Sequence, residues 1–207
     1  MITKKGLAIL LSKLKSFSTQ DIKLEQYPTD PEIASDVLWA AKLNQDIKDK
    51  VVADLGCGNG ILGLGALILG AKLVHFLDID KPILKIAKEN KRLIETKLSK
   101  KFNAKFINST VQNFNKKVDV VIQNPPFGVK ITHKDKLFLI KAMEIASVIY
   151  TFHKFSTKRF IESFAMDNKF RPKLIFRYKF PLKKSFWFHI KKVKYIDVGV
   201  WRLNKIR

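Results

Sequence analysis

The sequence predicts an α/β protein built on a mainly parallel, twisted sheet with helices on both faces. Three observations carry that expectation. Short apolar runs rich in Val, Ile and Leu recur at 51–55, 73–77, 104–108 and 118–123. Segments with helical spacing separate them, and strands alternating with helices give parallel crossovers. The end of the chain differs: 173–180 and 194–203 alternate in part, which predicts a closing antiparallel hairpin.

Each element has its own signal. Leu7, Leu10, Leu11 and Leu14 recur at helical spacing over 4–15, opposite lysines, and predict a capping helix. Asp30-Pro31 reads as an N-cap followed by proline at the first helical position. The helix it opens reaches about Leu43, with Ile33, Val37, Leu38 and Ala41 inward. The run at 51–55 enters Gly56-Cys57-Gly58-Asn59-Gly60, then the helical 61–67. Asp80 caps a helix to about Lys97, with Pro82 in its first turn. A strand is expected over 118–123, a helix over 138–149, a strand over 150–154 and a helix over 157–168. No linker or repeat interrupts this order. It reads as one domain: 1–23 a capping segment, 24–154 the core, 155–207 a closing helix and hairpin.

Composition constrains the partner. Lys plus Arg number 40 against 18 Asp plus Glu, so the formal charge is +22. Such an excess favours a polyanion. Cys57 is the single cysteine, which excludes an intramolecular disulfide and suits a reducing, cytoplasmic setting. No apolar run reaches membrane-span length. The scattered His residues and one Cys imply no metal site.

Two motifs carry chemistry. Asp54-x-Gly56-x-Gly58-x-Gly60 repeats every second residue, unlike the G-x-G-x-x-G of dinucleotide folds. It suits a nucleoside-type ligand such as an S-adenosyl group. Asp78, ending the second strand, is placed to hold ribose hydroxyls. Asn108 or Ser109, after the third strand, could reach an adenine edge. The second motif is Asn124-Pro125-Pro126-Phe127. Two prolines cannot continue a ladder, so the strand ends there, where open α/β sheets bind ligands. The Asn124 amide oxygen and the freed Pro125 carbonyl are two acceptors beside a flat ring. They suit a planar group bearing NH2. Alone, Asn-Pro-Pro could be an ordinary turn. The glycine motif upstream, in compatible order, favours a site.

Together these motifs look like a Rossmann-like S-adenosylmethionine-dependent methyltransferase acting on planar amines. Leu24-Glu25-Gln26-Tyr27-Pro28-Thr29, Val51-Val52-Ala53-Asp54-Leu55-Gly56-Cys57-Gly58, Phe76-Leu77-Asp78-Ile79-Asp80, Asn124-Pro125-Pro126-Phe127-Gly128 and His153-Lys154 narrow this further. They resemble the methyltransferase-like protein 5 family, which makes N6-methyladenosine in small-subunit ribosomal RNA. Lysine content and compactness suit an archaeal member. The resemblance implies S-adenosylmethionine contacts at Gln26, Thr29, Asp54, Gly56, Gly58, Asn59, Asp78 and Asn124. The family has an Asp after the third strand where this chain has Ser109 beside Asn108. The resemblance also implies a small zinc-binding activator protein of the Trm112 type, pairing along a sheet edge.

In this reading Asn124, Pro125, Pro126 and Phe127 are catalytic. Phe127 stacks on an extruded adenine, as enzymes acting on bases require. Lys130, Lys134, His153, Lys154 and Arg159 are expected to face RNA. So are Lys183, Lys184, Lys191 and Lys192, where basic residues alternate with aromatics. Two other readings remain open: a protein-glutamine methyltransferase, and a non-catalytic RNA-binding protein on the same scaffold.

Overall fold

In the computed structural model, which describes residues 2–16, 28–126, 134–182 and 194–206, the apolar runs become strands and the periodic segments cover them. The elements are α1 Lys4–Leu11, α2 Pro31–Leu43, β1 Val51–Leu55, α3 Ile61–Ile68, β2 Leu73–Asp78, α4 Lys81–Leu98, β3 Ala104–Asn108, β4 Val120–Gln123, α5 Lys134–Ile145, β5 Val148–Lys154, α6 Lys158–Asp167, β6 Phe170–Leu182 and β7 Lys194–Lys205. Seven strands form one sheet in the order β3-β2-β1-β4-β5-β7-β6. The first five run parallel, and β7 enters antiparallel between β5 and β6. Strand order reverses between β1 and β4, so the crevice at their carboxyl ends is the topological switch point.

Side-chain parity separates two apolar cores. Val52, Val120, Ile122, Tyr150 and Phe152 face one core with Leu7, Leu38 and Leu64. Ala53, Leu55, Val121 and Ile149 face the other with Leu139, Ile161, Trp201 and Leu203. Central parallel strands are buried on both faces, which is why they read as continuous apolar runs. Close packing depends on small residues. A Cβ on Gly65 would come within 2.2 Å of Leu38 Cδ1, so any side chain there would have to displace Leu38 where α2 meets α3.

Local chemistry fixes the boundaries. The Asp30 carboxylate accepts from the N–H groups of Glu32 and Ile33 at 2.9 and 3.3 Å, with Pro31 opening α2. Asp80 accepts from the Ile83 N–H at 3.2 Å and caps α4. Three boundaries depart from expectation. Helix α1 stops at Leu11, where the Ser12 hydroxyl donates back to the Ile9 carbonyl at 2.9 Å. Strand β4 begins at Val120, because Asp119 accepts from the Val51 N–H at 2.8 Å and turns its own N–H to the Val51 carbonyl. Helix α5 is Lys134–Ile145 and not 138–149, because Val148 and Ile149 join the β5 ladder beside Val120 and Val121. Among the described residues no helix is long and apolar enough to cross a membrane.

Candidate active site

Three strand ends meet at the switch point. After β1 the chain turns through Gly56, Gly58 and Gly60, all left-handed with φ of 68°, 54° and 85°. Only glycine takes these values without strain. The N–H groups of Gly56 and Cys57 donate to the Leu77 carbonyl at 2.9 Å each, which fastens the turn to β2. Helix α3 follows, and Gly63 lets it close onto the sheet. A Cβ there would come within 2.4 Å of the Phe76 ring.

Two carboxylates brace the turn. Asp54 is 1% exposed and accepts from the Gly63 N–H at 2.8 Å. Burial pushes its pKa up to about 7; the Gly63 bond opposes the rise and the nearby Asp78 charge adds to it. Asp78 accepts from the N–H of Gly58 at 2.9 Å and of Asp80 at 3.0 Å. Burial raises its pKa against those two bonds. Cys57 is buried beside both, and burial holds its thiol well above its usual range. It is therefore a packing residue and not a nucleophile.

Asn124 completes the site from β4. Its Nδ2 donates to the Thr29 hydroxyl at 3.0 Å. Its Oδ1 is buried and has no hydrogen-bond partner among the described residues. An orphaned buried acceptor is rare in native structures and calls for an explanation. Thr29, Asp54, Gly56, Gly58 and Asn124 all line one cleft with about 290 Å³ of empty space. Thus the structure brings together the glycine turn, Asp54, Thr29 and Asn124. Asp78 stands behind the turn with its carboxylate on Gly58.

Other expected residues fall elsewhere. Asn59 lines the cleft, but its side chain is committed inward: Nδ2 donates to the Lys15 carbonyl at 3.2 Å and Oδ1 accepts from the Ile61 N–H at 3.3 Å. Asn59 thus meets the cleft while its amide braces the turn. Asn108 donates Nδ2 to the carbonyls of Asp78 and Ile79 at 3.1 and 2.8 Å, and the Ser109 N–H donates to the Asp78 carbonyl at 3.2 Å. Both brace the exit of β2 and neither lines the cleft.

His153 is also corrected. It is 1% exposed on the central strand β5 and cannot face RNA from the surface. Burial lowers its pKa, so the ring is neutral at pH 7. Arg159 is exposed and Lys154 half-buried at the site end of the sheet, and Lys134 opens α5. Gln26, Phe127, Lys130, Lys183, Lys184, Lys191 and Lys192 lie outside the described residues.

Sequence reasoning missed two features. Asn90, fully buried on α4, accepts from the Lys15 N–H at 2.7 Å and donates to the carbonyls of Lys15 and Asn59 at 3.0 Å each. It ties the end of the N-terminal segment to the glycine turn. The second is an aromatic pair on α6: exposed Phe160 stacks at 5.5 Å on Phe164, which is half-buried against the core, and Lys136 Nζ lies 5.4 Å from the Phe164 ring. Their spacing of four along the helix was the available signal.

A left-handed glycine turn, an acidic residue ending β2 and an Asn-Pro-Pro ending β4, set at the switch point of a seven-stranded sheet, define a Rossmann-like methyltransferase. The methyltransferase small domain family matches residues 29–145. The chain is 38% identical over 207 residues to the rRNA N(6)-adenosine-methyltransferase METTL5 of Danio rerio, covering 97% of this chain and 98% of that protein. It is 37% identical over 212 residues to the MJ0284 protein of Methanocaldococcus jannaschii, covering 100% and 96%. Among solved structures, the PH1948 protein of Pyrococcus horikoshii, a candidate RNA methyltransferase, superposes with a TM-score of 0.86 at 41% identity, covering 100% of this chain and 98% of that one. The chain belongs to the methyltransferase-like protein 5 family.

Proposed function

We propose that this protein transfers a methyl group from S-adenosylmethionine to the N6 amine of an adenosine in RNA, with small-subunit ribosomal RNA as the substrate. The single observation that carries the reading is the buried Oδ1 of Asn124, unpartnered among the described residues and oriented by Thr29 at the rim of the glycine-turn cleft. An acceptor so placed needs an N–H donor, and an exocyclic amine supplies two.

The residues fit the cofactor. The left-handed turn leaves backbone exposed to a ligand, and the cleft beside it opens between Asp54 and Asn124. Asp78 is held beside the turn, from where ribose hydroxyls are its natural partners. When bound, S-adenosylmethionine supplies the methyl from its sulfonium and leaves as a neutral thioether. The chain's own work is positioning. Asn124 Oδ1 and the Pro125 carbonyl accept the two N6–H bonds, which turns the amine lone pair out of conjugation and toward the methyl. Pro126 stiffens that backbone, and Phe127 stacks on the extruded base. The proton leaves the N6 ammonium afterwards to water, so no strong base is needed. Effective molarity from such alignment is worth roughly 7–11 kcal/mol of barrier.

Support for RNA comes from the +22 charge and the α6 surface. Lys130, Lys134, Lys154, Arg159, Lys183, Lys184, Lys191 and Lys192 would contact phosphates, with Phe160 and Phe164 offering a face for unpaired bases. A Trm112-type zinc-binding activator would add to a sheet edge; β3, paired on one side only, is the open parallel edge. The single cysteine suits a cytoplasmic reaction.

The test is transfer from labelled S-adenosylmethionine to ribosomal RNA and to a Gly-Gly-Gln peptide, with and without activator, followed by nucleoside analysis. Labelled N6-methyladenosine is expected. Label on the peptide alone would overturn the reading in favour of glutamine.

A further inference from the structure

We propose that Gln123, Thr151 and His153, buried in the core, and the half-buried Asp135 form a side-chain chain that holds the Asn124–Pro125 strand end in register for methyl transfer, with Thr151 and His153 as positioning residues. The inference rests on the reading of Asn124 given above.

The backbone explains why such a device is needed. The ladder between β4 and β5 ends at the Gln123–Thr151 pair. Pro125 and Pro126 have no N–H and cannot extend it. Strand β5 runs on to Lys154, paired there only with β7 on its far side. The Asn124–Pro125 segment therefore overhangs with no backbone partner on β5.

Side chains take over where the ladder stops. Gln123 Nε2 donates to the Thr151 hydroxyl at 3.1 Å. The Thr151 oxygen lies 2.8 Å from His153 Nε2. His153 Nδ1 faces the Asp135 carboxylate at 3.7 Å, an electrostatic contact longer than a hydrogen bond. The polarity is consistent along the whole chain. A neutral ring facing a carboxylate through Nδ1 carries its proton there, so Nε2 accepts from the Thr151 O–H. That oxygen in turn accepts from Gln123.

The placement is specific. Gln123 and Thr151 are 0% exposed and His153 is 1% exposed. By strand parity they share the face of Leu55, Ile149 and Trp201, where apolar residues would fill the core at lower cost. Asp135 lies in the first turn of α5, the first element after Asn124-Pro125-Pro126. The chain thus joins the catalytic strand end, its neighbour strand and the helix that follows. Its two hydrogen bonds, Gln123 to Thr151 and Thr151 to His153, lie in a water-free interior where such bonds are strong, while Gln123 Oε1 and His153 Nδ1 have no hydrogen-bond partner among the described residues.

Thr151→Val keeps the volume and leaves Gln123 Nε2 and His153 Nε2 unpaired. A displacement of about 1 Å at the reacting centre costs up to about 100-fold in rate, so kcat on transcribed ribosomal RNA should fall between about 10- and 100-fold. Cofactor affinity by calorimetry should stay within about two-fold, because the glycine turn is untouched. Thr151→Ser restores the hydroxyl and should recover most of the rate. Rates are taken per folded molecule, well below each melting temperature. His153→Gln serves as the second variant should Thr151→Val fold poorly.

A second readout needs no turnover. The side-chain amide signals of Asn124 in a 15N spectrum should shift in Thr151→Val and return in Thr151→Ser, and His153 Nε2 should show an unprotonated 15N shift. Unchanged kcat in Thr151→Val, with only a lowered melting temperature, overturns the proposal. So does a Thr151→Ser variant as slow as Thr151→Val. A wild-type protein that methylates no RNA instead refutes the functional reading. The positioning claim then stands or falls on whether the Asn124 signals move.

Discussion

Replacing Asp54 by Asn should change how the protein's stability depends on pH. The Asp54 carboxyl sits behind the glycine turn, 1% exposed, with the Gly63 N–H as its hydrogen-bond donor at 2.8 Å. One donor does not offset the loss of water, and the pKa rises from 3.8 to about 7. The folded state therefore binds this proton more tightly than the unfolded chain does. That contribution is fully present below about pH 4 and is lost as pH rises through about 7. A shift of about 3 units at about 1.4 kcal/mol each gives about 4 kcal/mol, and full burial leaves little screening to discount it.

The amide introduced by Asp54→Asn would still accept from the Gly63 N–H and would not titrate. The stability of the wild type minus that of Asp54→Asn should thus fall by about 4 kcal/mol between pH 4 and pH 8, roughly 10 °C in melting temperature for a chain of this size. Other titrating groups are common to both proteins and largely cancel. Cys57, held well above its usual range, stays protonated between pH 4 and pH 8 and does not contribute, and the Asp78 charge is already part of the rise at Asp54. Thermal melts of both proteins across that range provide the assay. Parallel melting curves would refute the reasoning. Saturating S-adenosylmethionine, which is cationic, should flatten the wild-type dependence by stabilising the carboxylate.

Three further outcomes are expected. Asn124→Ala should lose at least about 100-fold in methyl transfer, as removal of one aligned polar group does elsewhere, while cofactor affinity by calorimetry survives. Replacing Lys154 and Arg159 by Ala should weaken RNA binding and flatten its salt dependence by about 0.7–0.9 in log–log slope per lost phosphate contact, read from titrations at several salt concentrations. Asn90→Ala should strand the Lys15 N–H and the Asn59 carbonyl and leave the Lys15 carbonyl to Asn59 Nδ2 alone, destabilising the protein by a few kcal/mol and weakening cofactor binding; melts and calorimetry check both.

The parallel half of the sheet was legible because its strands are short apolar runs bounded by glycine, by Asp-x-Asp or by proline. Asp30-Pro31 and Asp80-Lys81-Pro82 marked helix starts through chemistry that acts within three residues. Helix α5 was misplaced because 138–149 keeps an apolar face past Ile145, and only pairing with β4 decides that Val148 and Ile149 are strand. His153 was read as a surface group from its neighbour Lys154. Parity held the correction: Ile149, Thr151 and His153 share one face of a strand whose other face carries Tyr150 and Phe152, and a central strand has no solvent face. Asn90 could not be read at all, because its partner Lys15 lies 75 positions away. Local patterns report what a residue does to its neighbours; the bonds that assemble the site join residues far apart.

Those long bonds fasten the N-terminal part of the chain at two points. Lys15 is held by Asn59 and Asn90 behind the glycine turn. Thr29 is held by Asn124 at the end of β4. One bond acts on the cofactor side of the switch point and the other on the substrate side. With the Thr29 hydroxyl accepting from Nδ2, the Asn124 Oδ1 is left for an incoming amine. Lys15 and Thr29 thus belong to the chemistry through what they hold, although neither need touch the reacting atoms. Helix α1, whose Leu7 and Leu11 pack with Leu38 in the core beneath α2 and α3, is the anchor that makes the first fastening rigid.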